Sequence, residues 1–403
     1  MNAMFKVITL TETKKIIQER FGKIRICTEK VPLSSALGRI MASDLVAEAF
    51  IPDFDRSTVD GFAVISRDLV GCSESIPAIL RKIGSTKMGE TPKHTLVSGQ
   101  CYYVPTGGAL PKGADAMVMI EYVEEFGEDE FAFVKPVAPG ANIIFRGEDL
   151  IPGDLILPAG KQLNAADIGT LAAMGKMEVE VYNSPAIGII STGDELVPPE
   201  SDLKPGQIRD VNTPMLTAAV QQLGAKVITA EIIPDRFELL KHTIENLLPK
   251  VDLLLISGGT SVGERDNLPL ILEELGQIFV HGIAVKPGKP TIVGQIGDKP
   301  VFGLPGNPVA AFFMFTALVK PLIYSFSSSK IEEITFEAKL TRAVSSNHGR
   351  EEVILISLEG DQARPVPSKS GLISSVSRAN AYILVGRDQE GISKGASVSV
   401  HIL

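Results

Sequence analysis

The chain has 403 residues, 44 % of them hydrophobic, and Lys+Arg 39 against Asp+Glu 48 gives 39 − 48 = −9. A chain of this size buries several cores, and at roughly 100–200 residues per domain it makes two to four domains. The mild acidity argues against nucleic acid as the main partner, so an anionic ligand must be held by local groups rather than by the overall field. In chain order, the opening MNAMFKVITLTETKKIIQERF reads as a strand-like piece and then an amphipathic helix over residues 11–20. It lacks the apolar stretch of a signal peptide, and a cytoplasmic protein is expected. Cys27, Cys72 and Cys101 form no CxxC or CxxH spacing, so neither a disulfide framework nor a structural zinc site is expected.

The run PLSSALGRIMASDLVAEAFIP ends at turn-forming Pro52 and Asp53. From there to about Ile144, the short β-like stretches GFAVI, CYYVPT, DAMVMI and FAFVKPV alternate with Gly/Pro turns and predict a β-rich module. A helix is expected at AADIGTLAAMG, with Asp167 suited to its first turn and Gly175 to its stop. After Ser184 the period changes. The strands AIGIIST, KVITAEII, VDLLLIS and VFGLP alternate with the helices TPMLTAAVQQLGA, RFELLKHTIENLL, DNLPLILEELG and PVAAFFMFTALVKPL. That alternation predicts a parallel sheet with right-handed crossovers and helices on both faces, its ligand held by the loops after the strands. The run 309–319 is the longest apolar one and falls short of the ~20 residues of a membrane span. No membrane association is expected. EEITFEAKLTRAV, EEVILISLEG, QARPVPS, NAYILVG and SVSVHIL then predict a small C-terminal barrel.

Several strand-end loops carry chemistry. AIGIISTGDELVPP ends a strand at Ser191, Thr192 and Gly193 and sets Asp194 and Glu195 at the carboxyl edge. There a carboxylate holds a hard cation such as Mg²⁺, or Asp194 simply caps a turn. In VDLLLISGGTSVGERD, the glycines Gly258, Gly259 and Gly263 let consecutive N–H groups face an anion, and Ser257 and Ser261 flank them. The spacing is not GxGxxG, which argues against a nicotinamide enzyme. Asp266 is either a helix N-cap or a member of the site. VKPGKP superficially resembles the end of a P-loop, but Pro287 and Pro290 lack the N–H groups a phosphate cradle needs. Lys286 and Lys289 therefore read as point charges on an oxyanion, or as solvated surface lysines. Pro305, Gly306 and Asn307 turn into a helix that starts at Pro308, and its N-terminus is a further anion seat. In the β-rich module, Asp55, Arg56, Ser57 and Asp60 crowd one polar loop, and Thr106, Gly107 and Gly108 make a tight turn. Such charge density points to a cleft.

Eight segments, FDRSTVDGFAV, PTGGALPKGADAMVMIE, NIIFRGEDLIPGD, IGIISTGDEL, GQIRDVNTPML, LISGGTSVGERD, KPGKP and FGLPGNPVAAF, occur in this order over about three hundred residues. In order and spacing the chain resembles the MoeA-type molybdopterin molybdenumtransferases and the related gephyrin E domain. The resemblance implies a multidomain α/β and β chain. A connecting domain would span residues 1–50 plus 145–182, a β-rich second domain 51–144, a MogA-like three-layer α/β domain with a mostly parallel sheet 183–327, and a C-terminal β-barrel 328–403. It implies insertion of molybdate into adenylyl-molybdopterin with release of AMP, using Mg²⁺, in a homodimer whose active site is shared between subunits. A MogA-type adenylyltransferase and molybdoenzyme acceptors would be its partners.

Carried over by motif, Asp60, Thr106, Glu195, Asp235 and Asp266 would be catalytic, and Asp194, Glu195 and Asp266 would hold the metal. The substrate would touch Ser57, Ser191, Thr192, Gly193, Ser257, Gly258, Gly259, Ser261, Lys286, Lys289, Pro305, Gly306 and Asn307. Arg56, Thr58 and Phe62 stand where relatives more often carry Asn, Ala and Tyr. Gly282, beside His281, stands where many have a basic residue. Two other readings remain: the preceding adenylation of molybdopterin, since the α/β part is shared with MogA-type proteins, and a gephyrin-like scaffold.

Overall fold

Successive side chains in a strand point to opposite faces, so the unbroken apolar run Leu253–Ser257 must be covered on both sides. It is. Leu253 and Leu255 pack with Leu216 and Val220 of the helix Asn212–Gln222, while Leu254 and Ile256 pack with the helices Phe237–Leu247 and Asn267–Leu275. These three layers are seen in a computed structural model, which describes residues 7–259, 267–329, 334–347, 349–369 and 371–403.

The sheet runs in the order Lys226–Ile233, Ala186–Thr192, Leu253–Ser257, Lys299–Leu304, Ile292–Ile296, Gln277–His281. Its first four strands are parallel, as expected. The last two are antiparallel and were not predicted from the sequence. They are short, and a hairpin turning at Gly297 (φ +59°) joins Ile292–Ile296 to Lys299–Leu304 without a crossover helix to announce them. The helical stretch Pro308–Phe326 has 19 residues, eight more than the apolar run inside it, because a π-helical segment, Phe315–Val319, continues the helix. By length and composition it is the one helix among the described residues that could cross a membrane. However, 67 % of its apolar window is buried, packed on the sheet and on Val353, Leu355 and Tyr382.

The barrel closes as expected. Glu351–Glu359, Gln362–Pro365, Thr335–Leu340, Ser397–Ile402 and Ala381–Val385 pair in that order and back to Glu351–Glu359, leaving no free edge within the ring. Val285–Lys286 adds to it in parallel beside Glu351 and Glu352.

The chain forms two compact units, one from the described parts of Met1–Ser43, Ala159–Asn164 and Glu178–Leu403, the other from Asp44–Pro158 and Ala165–Met177. Segments expected in the connecting domain contribute to both. In the second unit a six-stranded sheet is ordered Ala116–Met119, Gly61–Val64, Gln100–Val104, Ala78–Ser85, Glu130–Phe133, Val123–Glu125. Phe62, Val64, Leu80, Val118 and Phe133 form its core. Cys101 is buried with them, and burial pushes its thiol up to about 12, so it stays protonated and inert.

Candidate active site

The carboxyl edge of the parallel strands gathers one polar cluster. At the end of Ala186–Thr192, the buried Ser191 hydroxyl donates to Asp210 Oδ1 at 3.2 Å and lies 2.7 Å from the Thr213 hydroxyl. Asp210, 3 % exposed, also accepts from the backbone N–H groups of Asn212 (3.0 Å) and Thr213 (3.1 Å). It thereby serves two of the donors that a helix start leaves without an intrahelical partner. The Asn212 side-chain amide then donates to the Ser257 hydroxyl at 2.7 Å and the Gly306 carbonyl at 2.8 Å. One helix N-terminus thus ties together the loops after three strands. Asp210→Ala is expected to cost about 1–2 kcal/mol of stability, as the loss of a helix cap does, and to lower turnover with it. Urea unfolding checks this, and a cost below about 0.5 kcal/mol would mean the cap is dispensable.

A second group lies beside it. Asp235, half-buried, accepts at Oδ1 from Asn267 Nδ2 (2.9 Å) and, at a long 3.5 Å, from the Thr192 hydroxyl, and its own N–H donates to Asp194 Oδ1 at 3.2 Å. The Glu195 carboxylate folds back over Gly193: a Cβ at Gly193 would come within 2.9 Å of it. Gly258 and Gly259 border this group with φ of +93° and +59°, and a Cβ on Gly259 would sit 3.2 Å from Thr192 Cγ2 and 3.9 Å from Asp235 Oδ1. Both glycines adopt backbone that L side chains rarely take. Gly306 is close enough that its Cβ would be 3.7 Å from Gly258 Cα, and Pro305 O lies 3.5 Å from the Ser257 hydroxyl. Asn307 precedes the helix that begins at Pro308 and makes no side-chain cap, and its Oδ1 faces Gly371 of the barrel.

In the second unit Asp60 and Thr106 are brought together, with Thr106 N–H donating to Asp60 Oδ1 at 2.9 Å. Both are exposed. Ser57 is buried at 2 %, its hydroxyl donating to Val59 O at 2.6 Å, so it shapes the loop from inside. Asp55 accepts from Arg146 N–H at 2.7 Å, and the Arg146 guanidinium lies 4.0 Å from the centre of the Phe50 ring.

Lys286 pairs with Glu352 at 2.8 Å, whereas Lys289 is exposed. No contact among the described residues joins either one to Asp194, Glu195 or Asp235. Ser261, Gly263 and Asp266 lie outside the described residues. Gly282 sits at φ +100°, a backbone geometry that favours glycine over a basic residue at this position. Its neighbour His281 does not replace the cation: burial pushes the imidazole down toward the neutral form, against a smaller opposing pull from Glu273. Asp210, Asn212 and Thr213 were not picked out from the sequence, although the Asp-x-Asn-Thr start of a helix in GQIRDVNTPML was the available signal.

Strand-end glycines, a helix N-terminus and carboxylates thus gather at the carboxyl edge of an open α/β sheet, where proteins of this fold class seat their ligands. Family models agree on the family, matching as the MoeA N-terminal region (domain I and II) over residues 8–175, the Probable molybdopterin binding domain over 188–325 and the MoeA C-terminal region (domain IV) over 337–403. The molybdopterin molybdenumtransferase of Bacillus subtilis is 33 % identical over 386 residues, covering 93 % of this chain and 90 % of its own. The crystal structure of a molybdopterin biosynthesis MoeA protein from Pyrococcus horikoshii is 38 % identical with a TM-score of 0.83, over 98 % of this chain and 99 % of that one. A second structure from the same organism, at 33 % identity, has a TM-score of 0.86 over 99 % and 100 %. The chain belongs to the MoeA family.

Proposed function

We propose that this chain is a molybdopterin molybdenumtransferase that completes the molybdenum cofactor: adenylyl-molybdopterin and molybdate give the cofactor, AMP and water. The observation that carries this reading is the convergence of Thr192, Asp194, Asp235 and Gly259 at one sheet edge, beside a helix N-terminus held by Asp210. The backbone N–H of Gly259, with the Lys286 and Lys289 ammonium groups, would offset the charge of phosphate and molybdate, whereas the Gly258 N–H already donates to the Leu304 carbonyl at 3.2 Å. Ser191, Ser257, Pro305 and Gly306 shape the walls of this edge.

The donor set suits Mg²⁺. The Asp194 carboxylate, which accepts the Asp235 backbone N–H, is a hard oxygen donor; among the described residues no three acidic side chains gather into a metal cluster, but Mg²⁺ needs only one or two carboxylates, with substrate phosphate and water to complete its shell. Asp194, Glu195 and Asp266, the last outside the described residues, would hold it, and when bound it supplies positive charge against the phosphoanhydride. Asp60, oriented by the Thr106 N–H, would enter from the second unit of a partner subunit in a cytoplasmic homodimer. The same reading keeps the four-part division of the chain, with a MogA-type adenylyltransferase upstream and molybdoenzymes downstream.

The test is to incubate the purified chain with adenylyl-molybdopterin, Mg²⁺ and molybdate, and in a parallel reaction with molybdopterin, Mg²⁺ and ATP. Molybdate-dependent release of AMP is the expected result. Consumption of ATP without it would identify the preceding adenylation instead, and neither activity would leave a scaffold.

A further inference from the structure

Lys286, read above as an anion contact, does not stand free. Its ammonium donates to Glu352 Oε1 at 2.8 Å, and Glu352 Oε2 accepts from the Ser346 hydroxyl at 2.9 Å. The glutamate side chain is only 12 % exposed, while the lysine side chain, at 44 %, still reaches solvent. Backbone geometry enforces the pairing. Glu352 lies on the barrel strand Glu351–Glu359, which runs parallel to Val285–Lys286 with Lys286 directly in register with Glu352. Glu351 N–H further donates to Ala284 O at 3.0 Å. The lysine is thus supplied by the α/β part of the chain and aimed by the barrel.

A lysine stem has four rotatable carbons, and ordering it against an anion costs conformational entropy unless the stem is already ordered. An ammonium has three N–H donors, and Glu352 takes one. Two therefore remain for an oxyanion while the glutamate holds the first. Lys289, exposed in the next turn, has no such holder among the described residues.

We infer that Glu352 is a positioning residue of the oxyanion site, acting through Lys286. This rests on the proposed role of Lys286. Glu352→Ala is expected to weaken molybdate binding, and to raise the molybdate KM, by about tenfold with kcat little changed. Glu352→Gln keeps an acceptor in the same place and should stay within about threefold of wild type. Ser346→Ala, which frees the far side of the glutamate, should shift binding in the same direction by less.

A double-mutant cycle with Lys286→Ala distinguishes positioning from a general structural effect. Once Lys286 is gone, neither Glu352→Ala nor Ser346→Ala should weaken molybdate binding further in equilibrium dialysis. Additive losses overturn the inference, and so does a Lys286→Ala chain that binds molybdate and turns over as wild type does. If Glu352→Ala fails to fold, the Ser346→Ala arm of the cycle decides by the same rule. Failure of the proposed reaction looks different: the wild-type chain then binds molybdate through Lys286 yet releases no AMP, and the positioning role stands.

Discussion

Alanine at Gly258 will abolish molybdate-dependent AMP release while leaving most of the chain folded. The residue sits at φ +93°, and a Cβ there would lie 2.3 Å from the carbonyl oxygen of Thr192. That neighbour is backbone, the last residue of a strand and held in register with Ile233, so it cannot move aside without breaking the strand end. A strained φ costs about 1–3 kcal/mol, and a loop displaced by about 1 Å costs on the order of 100-fold in rate. Gly169 provides the control. It lies in the helix Ala165–Ala173, and its Cβ would meet nothing within 4 Å, so Gly169→Ala should gain roughly 0.5–1 kcal/mol and leave turnover unchanged. Thermal unfolding and AMP release measured side by side separate the two, and wild-type turnover in Gly258→Ala would remove the strand-end loop from the site.

The second large effect concerns the two units. If the proposed roles hold, Asp60→Ala and Glu195→Ala should each lower turnover by at least about 100-fold, since each would then remove a charge from the reacting groups. Both side chains are exposed, so stability should change little: about 1 kcal/mol at Asp60, which gives up the Thr106 N–H, and less at Glu195. If Asp60 and Glu195 act in one site drawn from two subunits, mixing the inactive variants regenerates one intact site in each hybrid dimer. Random pairing makes half the dimers hybrid, so about a quarter of wild-type activity should return. Differently tagged subunits, co-purified to isolate the hybrid, provide the measurement, and the isolated hybrid should show about half of wild-type activity. No recovery in demonstrably mixed dimers would overturn the shared site.

How much of this was legible before folding depends on the range over which each signal acts. The four parallel strands and the helices between them, from Ala186 to Phe326, were legible in the chain, because alternation and helical period are properties of neighbouring residues. The strand-end glycines were marked for the same reason: a φ near +90° excludes nearly everything else, wherever the loop goes. Two strands escaped because Gln277–His281 and Ile292–Ile296 are short, and a hairpin rather than a helix joins the second of them to the sheet.

Which polar groups meet depends on how distant segments pack. Asp210 acquires its partners from Ser191, and Asn212 from Ser257 and Gly306, positions that are distant in the chain but adjacent at one sheet edge. Ser57, polar and in a promising loop, is turned inward onto Val59. The Lys286–Glu352 pair spans 66 residues and exists because a barrel strand happens to zip onto Val285–Lys286. Local pattern reports the conformation that a residue prefers. Hydrogen bonds and ion pairs act over about 3 Å, and it is the packing of the whole sheet and barrel that brings such groups within that reach.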